Sequence, residues 1–107
     1  MSDIVLMVGD ILISESFRVI QHYNHQGDGT LNISRLLNGF TVVNSGDAYI
    51  VLEVTEHKCA GDDFFYIKLI GKSMVTFNTV YACKLTRQLV QHFHGIITQR
   101  HFELIRN

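Results

Sequence analysis

The segment from residue 95 to residue 105 constrains the fold of this chain more than any other part of the sequence. A glycine precedes two β-branched residues, Ile96 and Ile97; four polar residues follow at 98–101, and then Phe-Glu-Leu-Ile at 102–105. β-Branched and aromatic residues favour strands, whereas a short polar run between them favours a tight turn. The pattern predicts a strand, a turn and a closing strand, which is how a small β-barrel ends.

Length and composition are typical of one globular domain. The chain has 107 residues, of which 47% are hydrophobic and 18% are charged. A chain of this size buries a core without metals or disulfides, and it is too apolar and too weakly charged to be disordered. We expect a single domain over residues 1–107, with N-terminal strands or an extension over 1–45 and a barrel core over 46–105.

Two features of the sequence favour a cytoplasmic protein without a membrane partner. The apolar run at residues 4–8 has no basic residue before it and is too short for a signal peptide or a membrane span. Cys59 and Cys83 are too few for a disulfide scaffold and lack the spacing of metal ligands.

The net charge of −1 conceals a difference between the two halves of the chain. Residues 1–63 carry nine acidic and three basic side chains, a net charge of −6, whereas residues 64–107 carry one acidic and six basic side chains, a net charge of +5. In a small antiparallel barrel, strands from both halves become neighbours, so cross-strand pairs can absorb this difference. The alternative is a basic surface built from the C-terminal half.

Alternation of apolar and polar residues predicts several strands. Ala48, Ile50, Leu52 and Val54 share one face of a strand, which we expect to be the buried face. Residues 64–70 are aromatic and β-branched and predict a second strand, with residues 57–63 as the hairpin loop between the two.

Elsewhere in the chain apolar and polar residues also alternate, but some segments fit more than one type of secondary structure. Alternate positions over residues 75–85 are mostly apolar, which predicts one long strand or two strands broken near 78–79. These residues are Val75, Phe77, Tyr81, Cys83 and Leu85. Residues 86–94 fit a strand or a short helix with Thr86 as N-cap. Residues 14–23 fit a strand or a helix, and we favour the strand.

The residues at both ends of the second half resemble a known architecture. Gly46-Asp47 followed by the alternating residues 48–54, together with the pattern at 95–105, is similar to Src-homology-3-like and KOW-like small β-barrels over about residues 46–105. The resemblance implies a mainly β fold: a small antiparallel barrel with an N-terminal hairpin extension and at most one or two short helices. The aromatic and proline positions that bind proline-rich peptides have no counterparts here. The short, proline-free chain also resembles small accessory proteins of bacteriophages.

No set of residues in the sequence predicts catalysis or a cofactor. Cys83 shares the apolar parity of its strand and is expected in the core, while Cys59 is a lone loop thiol. His92, His94 and His101 are the best metal-ligand candidates, but no cysteine or carboxylate at a suitable spacing completes a site. Residues 24–35 resemble a calcium-binding loop that has Arg35 where the bidentate acid belongs. We expect no enzyme, no cofactor and no metal.

Two functional hypotheses follow. The first is a non-enzymatic protein-binding module, a phage-encoded modulator or inhibitor of a host protein. The alternative is a nucleic-acid-binding small β-barrel that uses the basic C-terminal half, although the sequence pI of about 6.6 is low for that role. Unpaired edge strands could pair between two copies of the chain, so a homodimer is an alternative to the monomer. The candidate contact residues are Tyr49, Tyr66, Lys84, Arg87, His92, His94, Arg100 and His101.

Overall fold

The computed structural model describes residues 5–23, 37–59, 62–93 and 95–106. The loop at 24–35 and His94 lie outside the described residues. Within them the chain forms eight strands and one short helix, which confirms the predicted mainly β fold. The elements are β1 (Ile11–Ser14), β2 (Arg18–Tyr23), β3 (Leu37–Val43), β4 (Ala48–Cys59), β5 (Asp62–Ile70), β6 (Thr76–Ala82), α1 (Arg87–His92), β7 (Ile97–Thr98) and β8 (Phe102–Ile105).

A six-stranded sheet in the order β7-β6-β5-β4-β1-β8 forms the body of the protein. Its pairs are antiparallel except that β7 runs parallel to β6. β7 and β8 lie at opposite ends of this order, yet only residues 99–101 join them, and the His101 N–H donates to the Thr98 carbonyl at 3.0 Å. The sheet therefore curves until its ends are neighbours, giving a nearly closed barrel. The predicted strand, turn and closing strand are present, although β7 and β8 do not pair with each other.

The N-terminal strands divide between two sheets. β2 and β3 form a separate antiparallel pair, which confirms the strand preferred for this region over 18–23. This pair packs on β6, where the Thr79 hydroxyl donates to the Gln21 carbonyl at 2.9 Å. β1 instead lies in the main sheet between β4 and β8. The barrel thus takes one strand from residues 1–45 and five from residues 46–105.

The buried face of β4 is the opposite of the predicted one. Tyr49 and Val51 are buried, whereas Ala48, Ile50 and Leu52 are exposed. Tyr49 pairs with Leu12, and Val51 pairs with Leu69 of β5, so these side chains share the interior of the barrel. The register then shifts between Val51 and Glu53, which interrupts the alternation. Both faces of β4 carry apolar residues here, so alternation alone does not identify the inner one.

Two other boundaries differ from the expectations. β4 and β5 stay paired out to Cys59 and Asp62, so residues 57–59 and 62–63 of the predicted loop belong to the strands, and residues 60–61 lie outside the described residues. β6 is continuous through 78–79, with Phe77 and Tyr81 buried as predicted. Val75 and Leu85 lie beyond its ends and are exposed.

Residues 86–94, which the sequence leaves open between a strand and a helix, contain the short helix α1, and it covers part of the outer face of the sheet. The Leu89 N–H donates to the Thr86 hydroxyl at 3.2 Å, which makes Thr86 the N-cap of α1. Leu89 and Phe93 are buried with outward-facing residues of β5 and β6 in a second apolar cluster. Its members are Tyr23, Phe64, Tyr66, Val80, Ala82, Leu89, Phe93 and Ile96.

Gly71 provides a test of packing at the turn after β5. A Cβ at this position would lie 2.6 Å from Cε1 of the buried Tyr49 ring. We expect Gly71→Ala to lower the free energy of unfolding by about 1–3 kcal/mol, because the ring cannot move without disturbing the core. Chemical denaturation measures the change. Ser73→Ala in the same exposed turn is the control and should leave stability within about 0.5 kcal/mol; equal stability of both variants would contradict the packing.

Candidate functional site

Strand register places four isoleucines in one line on the outer face of the barrel. Ile11 of β1 pairs with Ile105 of β8 on one side and with Ile50 of β4 on the other, and Ile50 pairs with Ile70 of β5. We call these residues the isoleucine row. Directly paired residues of adjacent strands lie on the same face of a sheet, with Cβ atoms about 5 Å apart. The row therefore forms a continuous apolar stripe across four strands.

The isoleucine row is directed away from the core. The residues that alternate with it, among them Leu12, Tyr49, Val51 and Leu69, are buried inside the barrel. Ile50 is 45% exposed, and Ile105 is also exposed. Antiparallel sheets that face water on one side normally place polar residues there. At the α1 end the outer face is covered by the helix, whereas in the isoleucine row Ile50 and Ile105 are exposed and Ile11 and Ile70 are half-buried.

An apolar groove of about 1190 Å³ lies beside the isoleucine row and shares three of its members. Its walls come from β3, from the start of β4 and from the turn at 71–75. Phe40 is 64% exposed, Met74 75% and Val75 66%, which is unusual for large apolar side chains. The lining residues are Ile11, His22, Phe40, Thr41, Val42, Gly46, Asp47, Ala48, Tyr49, Ile50, Ile70, Gly71, Lys72, Ser73, Met74, Val75 and Phe77. We call this surface the apolar groove.

Aromatic rings form the deeper part of the groove. The His22 ring stacks on Phe77 with centroids 4.7 Å apart, and Tyr49 meets Phe77 edge to face at 5.7 Å. The His22 Nε2 atom lies 2.6 Å from the Thr41 hydroxyl oxygen. Burial lowers the pKa of His22. The imidazole is therefore neutral at pH 7, and this part of the groove presents aromatic surface without charge.

The chemistry of this surface suits apolar side chains of a macromolecule. Small-molecule pockets are typically about 300–1,000 Å³ and enclose their ligand, whereas this groove is larger and its apolar walls are exposed. Asp47 and Lys72 at its margin supply one charge of each sign. The lining holds one hydroxyl beside a base, the Thr41–His22 pair, and a pair of this kind is not by itself a catalytic set. The exposed apolar walls make up most of the surface that a partner could contact.

The predicted contact residues are distributed over several places. Tyr49 lines the apolar groove, but Tyr66 is buried beneath α1, because outward positions at that end of β5 are covered by the helix. Lys84, Arg87 and Arg100 are exposed, and His101 is half-buried. His92 lies in α1. The structure describes the backbone of His92 but not its side chain, and His94 is not among the described residues.

Basic residues collect at the end of the barrel where β6 and β7 finish. The two strands are parallel, with Ala82 opposite Thr98, so Lys84 and Arg100 both follow at the same end. Burial lowers the pKa of His101 most, and the nearby positive charges of Arg18 and Arg100 lower it further. We call Arg18, Arg100 and His101 the basic cluster. Arg18 was not among the candidate contact residues predicted from the sequence, because it lies 82 positions before Arg100 in the chain.

Several site types receive no support from the described part of the chain. It contains no group of three or more histidine, cysteine or acidic residues able to hold a metal ion. Among the described helices, none has the length and apolar character needed to cross a membrane. No family model, curated protein or solved structure matches the chain.

The two histidines predict how stability depends on pH. Burial is the main cause that lowers the pKa of His22 and of His101 in the folded state, whereas both titrate near pH 6.5 when unfolded. Because the pKa of each histidine is lower in the folded state, the unfolded chain binds more protons near pH 6.5. The free energy of unfolding should therefore fall as the pH drops from about 7.5 to about 5.5. Denaturation at a series of pH values measures this slope. The double variant His22→Gln, His101→Gln should flatten it, and an unchanged slope in that variant would show that other groups are responsible.

Proposed function

We propose that this protein is a non-enzymatic protein-binding module whose contact surface consists of the isoleucine row and the apolar groove. The observation that carries the proposal is the row itself: paired isoleucines on four adjacent strands face outward and continue into a groove with exposed Phe40, Met74 and Val75. Contiguous exposed apolar surface of this kind marks interaction sites in soluble proteins.

Hydrophobic burial supplies the free energy for such an interaction. Covering apolar surface is favourable by about 25 cal/mol per Å², of which only part appears as affinity after the costs of association. Phenylalanine and methionine are both enriched at protein interfaces, and methionine adapts its shape to a partner. The groove offers Phe40 and Met74 for these roles.

Backbone strain at Met74 adds support for function at this edge of the groove. Met74 has a φ of 63°, in the left-handed region that residues other than glycine rarely adopt. Such conformations cost about 1–3 kcal/mol and are concentrated at ligand contacts and other functional positions. Here the strained backbone presents a large apolar side chain to solvent, which folding alone does not require.

We propose that this chain is encoded by a bacteriophage and that its partner is a protein of the bacterial host. In the host cytoplasm the chain would modulate or inhibit that protein. The support is the resemblance of a short, proline-free chain with an N-terminal hairpin to phage accessory proteins.

Charged substitutions in the apolar surface test the proposal. Ile50→Lys and Val75→Lys each place a charge among apolar groups, so we expect a partner captured by the wild-type protein to be lost or bound at least tenfold more weakly. Affinity capture from a bacterial lysate with mass spectrometry identifies the partner, and titration with the purified partner gives the affinity.

Val90→Lys is the matched control, because Val90 is an apolar residue 54% exposed on α1, away from the groove. It should bind like the wild type. Circular dichroism establishes that all three variants keep the β fold. Equal binding by Ile50→Lys and the wild type, or no specific partner for the wild type, contradicts the proposed surface.

The second candidate function is nucleic-acid binding at the basic end of the barrel, favoured by the parallel register that brings Lys84 and Arg100 together. Phosphate contacts make binding strongly salt-dependent. If this function is present, single- and double-stranded DNA and RNA should bind at low salt and be released as salt rises. The double variant Lys84→Gln, Arg100→Gln should weaken binding, while Ile50→Lys should not. No binding at low salt removes this candidate.

A further inference from the structure

Arg18 carries a buried hydrogen-bond donor that is not paired with any described residue. Its Nη1 atom is shielded from solvent, and no group in the described part of the chain accepts a hydrogen bond from it. Buried polar atoms in folded proteins almost always have a partner, and exceptions call for an explanation such as a bound ion. The side chain as a whole is only half-buried, so part of the guanidinium remains open to solvent.

Two further positive or titratable groups lie near this guanidinium. The loop after β1 is joined to the turn at 99–101, since the Glu15 N–H donates to the His101 carbonyl at 3.1 Å. That contact places Glu15, three residues before β2 begins at Arg18, against the turn that carries Arg100 and His101. The charges of both arginines reach the His101 ring closely enough to lower its pKa, after the larger effect of burial.

Among the described residues, no acidic side chain forms an ion pair with the cluster. The two ion pairs between described residues join Lys68 with Glu53 and Arg106 with Asp10, both outside this region. Glu15 and Glu103, the acidic residues nearest in sequence, are exposed and form no ion pair with described residues. A partly desolvated cation without a counter-ion is unfavourable, and it gains most from an anion that replaces the lost hydration.

We propose that the basic cluster is an anion-binding site for a phosphate group, with Arg18 and Arg100 as the charged ligands and His101 as a third polar contact. The guanidinium fork matches two oxygens of a tetrahedral oxyanion at once, which a lysine ammonium does not. The Thr98 hydroxyl lies 3.2 Å from His101 Nδ1 and holds the ring in place. This site goes beyond the proposed protein-binding function and uses no residue of the isoleucine row or the apolar groove.

Titration with inorganic phosphate, followed by two-dimensional NMR, tests the site. At constant ionic strength maintained with chloride, phosphate should cause saturable shifts in the amide signals of residues 15–18 and 98–101. Dimethyl phosphate is the second probe: tighter binding of inorganic phosphate indicates a terminal phosphate group as the natural ligand, and tighter binding of dimethyl phosphate indicates a phosphodiester. Either result supports the site.

Variants connect the signal to the cluster. Arg18→Gln and Arg100→Gln should each weaken phosphate binding about tenfold, as expected for the loss of a charge-assisted hydrogen bond. Arg18→Lys keeps the charge without the fork and should lie between Arg18→Gln and the wild type. Arg87→Gln removes an exposed arginine on α1 and is the matched control.

Thermal unfolding gives an independent reading, because a ligand of the folded state raises the melting temperature. Phosphate should stabilise the wild type and Arg87→Gln but not Arg18→Gln, whose own fold is checked by the dispersion of its NMR signals. Shifts that do not saturate, shifts centred elsewhere, or equal binding by Arg18→Gln and the wild type would each overturn the site.

Discussion

The short strand β1 is hydrogen-bonded on both sides, to β4 and to β8, and this double pairing joins β8 to the rest of the curved sheet. Leu12 at its centre is buried between Tyr49 and Leu104. The segment before β1 is fixed to the C-terminal end, where the Arg106 guanidinium makes two hydrogen bonds, of 2.8 and 2.9 Å, to the buried Asp10 carboxylate. The hydrogen bonds from Arg106 lower the pKa of Asp10, which favours the ionised carboxylate that links the two ends.

The curvature of the sheet into a nearly closed barrel also determines which apolar side chains lie on the outer face and not in the core. Inward positions are filled by Val51, Ile67, Leu69 and their neighbours, so the outward isoleucines of the same strands have no place in that interior. α1 covers the outer face only where Leu89 and Phe93 reach it. The chain thus has more apolar strand surface than its own elements cover. That excess, arranged in one line by strand register, is the physical basis for proposing a protein partner.

Sequence patterns predicted the element types well but not the relative placement of faces. Alternation and turn residues were sufficient for β5 and for the strand character of β6, because these signals are local, whereas they left residues 86–94 open between a strand and the helix found there. β4 was assigned the wrong buried face, since apolar residues occupy both parities of its first half and a register shift follows. The isoleucine row depends on pairing between residues as distant as 11 and 105, and the basic cluster on a contact between the loop after β1 and the turn at 99–101. Neither leaves a local trace in the sequence.

The isoleucine row and the basic cluster lie at opposite ends of β1, and this limits the kind of partner that could cover both. Ile11 begins the strand, while Ser14 ends it next to Glu15, whose amide holds the turn that carries Arg100 and His101. Three residues of strand span about 10 Å, so the surfaces are close but do not share side chains. A phosphate group at the basic cluster therefore leaves the isoleucine row free. A protein that covered both surfaces would need an apolar centre with an acidic or phosphorylated group at its edge, because an apolar contact over the arginines would leave their charges desolvated and unpaired.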